Sequence, residues 1–209
     1  MPPPTRPVPP TYVDANRLWV DSRVRAVAQR RVEVPVLLAL GGRVDGGRVL
    51  EIGPGRRGTG LRLALSELGA GHVDGVELHP DSVAACRAAV ADLGDQVAVQ
   101  QGDATALAAA DATYDAVLAF HLLHHAADWR SAVREAARVL APGGRLYVAD
   151  MTARFVDSRA LRAVSHHPRD ADRPTPDAIA AAVRDAGLEV VGSRVRFAGW
   201  WVGLVARRP

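Results

Sequence analysis

Apolar residues along this chain switch repeatedly between two spacings, and the switches lay out an architecture. The segments 48–52, 72–77, 97–101, 114–120 and 145–150 are short apolar runs with the character of buried strands. Between them the apolar positions fall at helical spacing. Leu61, Leu65 and Leu68 mark a helix over 60–68, Pro80-Asp81 opens one over 80–93, and Pro142-Gly143-Gly144 closes one over 128–140. Strand and helix in alternation predict parallel βαβ units and an α/β fold with an open, doubly wound sheet. The C-terminal end departs from that rhythm. A helix after Pro174-Thr175-Pro176-Asp177 runs to Ala186 and stops at Gly187. Segments 188–196 and 201–206 then read as two strands joined by Phe197-Ala198-Gly199-Trp200, a hairpin that closes the parallel sheet with antiparallel pairing.

Two regions lie outside the alternation. Residues 1–13 form a proline-rich arm unsuited to helix or sheet. From Asp14, read as an N-cap, the pattern is helical to about Leu40 with a division at Pro35, and 14–46 is expected to be a helical cover. The main domain then spans 47–209. Within it, 151–175 interrupts the rhythm with a short helix expected at 157–164 and a polar stretch, His166-His167-Pro168-Arg169-Asp170; it is expected to cover a substrate.

Composition narrows the classes. With 48% hydrophobic and 23% charged residues the chain is an ordinary globular protein, which excludes disordered, collagenous and coiled-coil classes. The formal charge of +3 comes entirely from arginine, since the sequence has no lysine. Those arginines are scattered among Asp and Glu, the pattern of a solvated mixed-charge surface, which argues against a nucleic-acid partner. Cys86 is the single cysteine, so an intrachain disulfide is excluded and no metal site is expected. No apolar run approaches the roughly 18 residues of a membrane span, and the N-terminus lacks the apolar core of a signal peptide, so a cytoplasmic protein is expected.

In an open α/β sheet, ligands bind beyond the carboxyl ends of the strands, where strand order reverses. The first strand runs into Glu51-Ile52-Gly53-Pro54-Gly55-Arg56-Arg57-Gly58-Thr59-Gly60, a glycine-rich turn that lets a ligand approach the backbone. The spacing Gly53, Gly55, Gly58 alone also fits a dinucleotide fingerprint. The second strand ends on Glu77, whose carboxylate can accept from two ribose hydroxyls. Glu51 suits an ammonium group, which S-adenosylmethionine has and NAD lacks. Asp103, with the N–H of Ala104, can read the edge of adenine after the third strand.

These residues carry a resemblance. The runs Val49-Leu50-Glu51-Ile52-Gly53-Pro54-Gly55, Val76-Glu77-Leu78, Gly102-Asp103-Ala104, Phe120-His121-Leu122-Leu123-His124-His125 and Arg138-Val139-Leu140-Ala141-Pro142-Gly143-Gly144 resemble the class I S-adenosylmethionine-dependent methyltransferases. Within that class they are similar to the small-molecule methyltransferases of the ubiquinone/menaquinone type. The resemblance implies a Rossmann-like sheet of seven strands, mostly parallel with an antiparallel C-terminal strand, and methyl transfer from S-adenosylmethionine to a small-molecule acceptor. It implies that Glu51, Gly53, Pro54 and Gly55 line the methionine end, Glu77 holds the ribose beside Leu78, Asp103 and Ala104 bind adenine, and Phe120 and His121 flank the sulfonium. One departure stands in the loop: the family's third glycine falls at Arg57, which reads as a one-residue insertion.

The resemblance assigns no catalytic residue, because orientation can supply much of the rate of methyl transfer. A base would serve a hydroxyl acceptor, and His121, His124, His125, His166 and His167 are candidates. Trp129, Trp200 and Trp201 could line an acceptor pocket or serve as core, and Cys86 reads as a small buried hydrophobe. Two other readings remain open: an NAD(P)-dependent reductase, and a non-catalytic or nucleic-acid-binding relative. Glu51, Asp103, the terminal hairpin and the lack of lysine for a Tyr-x-x-x-Lys pair count against the reductase.

Overall fold

The computed structural model describes residues 22–158 and 172–209. Strands β1 (Arg48–Ile52), β2 (His72–Glu77), β3 (Val97–Gln101), β4 (Tyr114–Phe120), β5 (Leu140–Met151), β6 (Glu189–Arg196) and β7 (Trp201–Arg207) form one sheet in the order β3-β2-β1-β4-β5-β7-β6. The first five strands pair in parallel, and β7 inserts antiparallel between β5 and β6. This is the predicted doubly wound sheet with its closing hairpin. Strand order reverses between β1 and β4, so the crevice opens where the glycine-rich turn lies.

Each face of the sheet buries its own core. On one side, β1, β4, β5 and β7 contribute Leu50, Ile52, Val117, Ala119, Val148, Val202 and Leu204. They meet Trp129, Val133 and Ala136 of α5 (Trp129–Val139) and Ile179 and Val183 of α7 (Pro176–Asp185). The other side packs Val49, Val73, Leu118, Tyr147 and Val205 against α2 (Val34–Gly41), α3 (Thr59–Ser66) and α4 (Pro80–Ala89). Strict alternation of strand residues between two covered faces explains why the parallel strands read as continuous apolar runs. Helix starts follow local chemistry. Asp128 caps α5 by accepting from Ser131 N at 3.0 Å, and Thr175 caps α7 by accepting from Ala178 N at 3.1 Å.

Several boundaries differ from expectation. Helix α1 (Arg23–Ala28) is capped by Ser22, while Asp14 lies outside the described residues. Pro35 does not end the N-terminal helix; it changes its bonding. Proline has no N–H for the usual bond, and Gln29–Glu33 widens into a π-turn in which Val34 N donates to Gln29 O before α2 resumes. Strand β5 begins at Leu140, so Pro142-Gly143-Gly144 belongs to the strand, with an irregularity in its pairing between Tyr114 and Ala116. The short helix expected from Asp157 instead covers Ala153–Val156 as α6, with Asp157 at its C-cap. Residues 159–164 of that expectation, the N-terminal arm, and His166 and His167 lie outside the described residues.

Candidate functional site

Three carboxylates stand at the ends of three adjacent strands. Glu51 lies on β1, Glu77 ends β2, and Asp103 follows β3, and these strands are neighbours in the order β3-β2-β1. Glu51 is only 2% exposed, and its Oε2 has no hydrogen-bond partner among the described residues. Burial pushes its carboxyl up to about 8, although Arg25 of α1 and the Leu61 N–H pull the other way. A buried carboxylate with an orphan oxygen asks for a cationic ligand. The Glu77 carboxylate accepts from Gly55 N at 3.1 Å and His79 N at 3.2 Å, which ties the glycine-rich turn to the end of β2. Carboxylate oxygens have lone pairs to spare, so both can still accept from hydroxyls. Asp103 is exposed, and Thr105 N and Oγ1 each donate to its Oδ1 at 2.8 Å. Those two bonds hold its carboxyl below the ordinary value.

Gly53 and Gly55 adopt left-handed φ of 72° and 64°, and Gly58, at 56°, is the left-handed N-cap of α3. The close approach falls on Gly60, where a Cβ would stand 1.8 Å from Glu51 Oε1. Arg57 stands at an exposed position, and the first turn of α3 lies wrapped on Glu51. Pro54 is buried and lies against Gly75 of β2, Ala104 packs partly into the core, and Leu78 is 53% exposed. Cys86 is buried beneath Gly58, and its thiol is pushed up to about 12, mainly by burial.

A second constellation lies after β4 and β5. Phe120 is buried in the core on the α2 face, and the next residue, His121, turns into the left-handed region at φ 53°. Its Nε2 lies 2.9 Å from Glu33 Oε2 of the π-turn, and both side chains are largely buried. His124 Nδ1 is paired with Asp150, which also accepts from Leu123 N at 2.7 Å and Met151 N at 2.6 Å. Burial alone would raise the Asp150 carboxyl; the attraction of His124, its hydrogen bond, His121 and the Leu123 N–H outweigh burial and hold it low. The His125 ring stacks on His124 at 4.0 Å from a more exposed position. Among the described residues no group of three or more His, Cys, Asp or Glu is arranged to hold a metal ion.

The structure therefore brings Glu51, Gly53, Gly55, Glu77 and Asp103 to one sheet edge, with His121 beyond the switch point. Sequence reasoning missed Glu33, Arg25 and Asp150. Asp150 had a usable signal, since it stands at the end of an apolar strand just as Glu77 does. Glu33 had none: it reads as one more polar residue on a helix. The tryptophans divide. Trp129 and Trp201 are buried core residues, while Trp200 is partly exposed and 5.4 Å from the Phe155 ring.

Comparison with known proteins shows the family. A family model described as a methyltransferase domain matches residues 50–148. The ubiquinone biosynthesis O-methyltransferase of Xylella fastidiosa is 32% identical over 170 residues, covering 75% of this chain and 67% of that protein. The 27-O-demethylrifamycin SV methyltransferase of Amycolatopsis mediterranei is 36% identical over 152 residues, covering 69% of this chain and 54% of the relative. The chain thus spans about half to two thirds of the length of these relatives. Among solved structures, the methyltransferase in complex with the Trm112 activator from Haloferax volcanii superposes with a TM-score of 0.72 at 22% identity, covering 93% of this chain and 97% of that one. An S-adenosylmethionine-dependent methyltransferase from Mesorhizobium loti gives 0.68 at 20%, covering 83% and 96%. The chain belongs to the class I S-adenosylmethionine-dependent methyltransferases. S-adenosylmethionine is the cofactor of that class, and the orphan oxygen of Glu51 beside a glycine-rich turn fits its ammonium end. The reductase reading is set aside.

Proposed function

We propose that this protein transfers a methyl group from S-adenosylmethionine to a hydroxyl of a small-molecule acceptor. The observation that carries the reading is the row of Glu51, Glu77 and Asp103 at the ends of three adjacent strands. Each has a chemical counterpart on the cofactor: ammonium for Glu51, ribose hydroxyls for Glu77, the adenine edge for Asp103. Gly53, Pro54 and Gly55 give the backbone close access at the methionine end, and exposed Leu78 offers an apolar face to adenine. Ala104 supplies a backbone N–H beside Asp103. The bound cofactor supplies an electrophilic methyl group on a sulfonium whose leaving group is a neutral thioether.

On the acceptor side the chain supplies orientation and a base. Phe120 and His121 sit at the sheet edge between the cofactor row and the N-terminal cover. Glu33 faces His121 Nε2, which leaves Nδ1 of the same ring to take the hydroxyl proton, and the resulting imidazolium is stabilised by the carboxylate. Asp150 holds His124 and the backbone of the loop behind it. The hydroxyl acceptor draws support from the Xylella fastidiosa relative, which is named as an O-methyltransferase. The described parts of the N-terminal cover (22–46) and of the segment after β5 (152–158 and 172–175) flank the acceptor side in this reading. None of the described helices is long and apolar enough to cross a membrane. The scattering of arginines among Asp and Glu supports a small molecule over nucleic acid as the acceptor, and the proposal places the reaction in the cytoplasm.

Calorimetry with S-adenosylhomocysteine tests the reading. Binding is expected, weakened roughly 10- to 100-fold in Glu77→Ala and in Asp103→Ala, the scale of lost hydrogen bonds to a charged group. Transfer of labelled methyl into a metabolite extract would then identify the acceptor. Tight NADH binding with no binding of S-adenosylhomocysteine would sink the proposal.

A further inference from the structure

Trp201 carries a feature that its role as core filler leaves unexplained. It is 1% exposed, yet its indole Nε1 has no hydrogen-bond partner among the described residues. Indole nitrogen is only a donor, and a buried donor without an acceptor carries a desolvation cost that native proteins rarely leave standing. A tryptophan chosen purely for volume could be a phenylalanine at this position without that cost.

The sheet register locates the indole. Trp201 is the first residue of β7 and pairs with Met151, the last residue of β5, so it stands at the carboxyl edge of the parallel strands. Its benzenoid ring lies over Gly203, where a Cβ would come within 2.5 Å of the ring. Gly203 pairs with Ala149, deeper in the sheet. The six-membered ring therefore points down into the core, and the pyrrole ring with its N–H lies toward the edge. Trp201 packs in the same core cluster as Val34 and Phe120, which puts it on the face covered by α2. Glu33 and His121 flank those two residues in sequence, and His121 N donates to Ala149 O at 2.7 Å. Only β5 separates β4 from β7, so two strand spacings, about 10 Å, lie between the His121 and Trp201 backbones.

We propose that the Trp201 indole N–H is a specificity donor of the acceptor pocket, reading a neutral hydrogen-bond-accepting oxygen, such as a carbonyl, on a molecule whose hydroxyl faces His121. The Glu33 carboxylate beside His121 disfavours an anionic acceptor and selects a neutral hydroxy-carbonyl compound. This inference rests on the methyl-transfer reading for its acceptor side, and its test separates the two.

With the cofactor pocket filled by S-adenosylhomocysteine, binding of 4-hydroxyacetophenone is compared with binding of 4-ethylphenol, which keeps the hydroxyl and replaces the carbonyl by a methylene. The full chain is expected to prefer the ketone by about 10-fold or more, the worth of one buried hydrogen bond. Trp201→Phe is expected to bring the ratio close to one while binding S-adenosylhomocysteine as the parent does. The indole N–H proton resonance missing from Trp201→Phe should, in the parent, shift downfield with the ketone and stay in place with 4-ethylphenol. That second measurement is made on the parent, and once the spectrum of the folded variant has assigned the resonance it stands even if the variant binds neither probe measurably. Equal affinity for both phenols, a preference that survives Trp201→Phe, or no saturable binding of either probe overturns the inference. Failure of the parent to bind S-adenosylhomocysteine overturns instead the methyl-transfer reading.

Discussion

The two sides of the switch point are built by different means. On the β3-β2-β1 side, each polar group sits at or just past the end of its own strand, and its partners are mostly backbone N–H groups nearby in the fold: Gly55 and His79 for Glu77, Thr105 for Asp103. On the β4-β5 side the groups come in pairs from distant parts of the chain, Glu33 with His121 and His124 with Asp150. The first side offers acceptors to a cofactor whose shape is constant. The second is an assembled surface in which the N-terminal helix contributes one member of a pair, so under the proposed function the acceptor side depends on how that helix docks while the cofactor side does not.

The sharpest way to break that contrast is to remove the carboxylate on which the assembled side depends. Asp150 is buried and accepts from two backbone N–H groups and His124. Asp150→Ala would leave those donors buried and unpaired, at a cost of about 3–5 kcal/mol in denaturant unfolding. Because the carboxyl is held low in the fold, its stabilising contribution is present above the unfolded carboxylate range and is lost as pH falls through the folded value. The difference between parent and Asp150→Ala should therefore shrink in strong acid. A change below 1 kcal/mol at neutral pH would mean that the loop after β4 is held by something else.

The same contrast explains what was legible in the chain. Alternation of apolar runs and helical spacing gave the sheet, because strands buried on both faces must be apolar throughout. Glu51, Glu77 and Asp103 could be picked out because fold geometry fixes where functional groups fall relative to a strand end. Glu33 could not, since its meeting with His121 depends on how the N-terminal helix docks, a tertiary fact without a local signature. Pro35 misled for a related reason. A proline marks a missing N–H, but whether the helix stops or widens into a π-turn depends on what the helix packs against, here Val34 and Leu37 on the sheet.

A smaller effect is expected from Gly60→Ala, which separates folding from binding on the cofactor side. A Cβ would meet the end of the Glu51 side chain, which can swing away, and alanine favours the helix by up to about 1 kcal/mol over glycine. Stability should therefore move by no more than about 1 kcal/mol. Affinity for S-adenosylhomocysteine should fall roughly 10-fold, because the carboxylate aimed at the ammonium has moved. Unchanged affinity in calorimetry would remove Glu51 from the cofactor row.

Glu51 and Asp150 are both buried carboxylates, yet their linkage to pH has opposite signs, and Glu51→Gln sharpens that difference. Burial raises the Glu51 carboxyl to about 8 in the fold from an ordinary value of 4.5. Between those values the folded chain holds a proton that the unfolded chain releases, so each step up in pH favours unfolding. Glutamine keeps the shape and never ionises. Its melting temperature should match the parent near pH 4 and exceed it by about 10 °C at pH 9, since the rise in the carboxyl is worth several kcal/mol and each shifts the melting point by a few degrees in a chain of this size. Binding an ammonium ligand would favour the ionised form, so at pH 7 the parent should release a proton as S-adenosylhomocysteine binds. The apparent binding enthalpy should then vary with the ionisation enthalpy of the buffer. In Glu51→Gln that variation should vanish; its persistence would assign the released proton to another group.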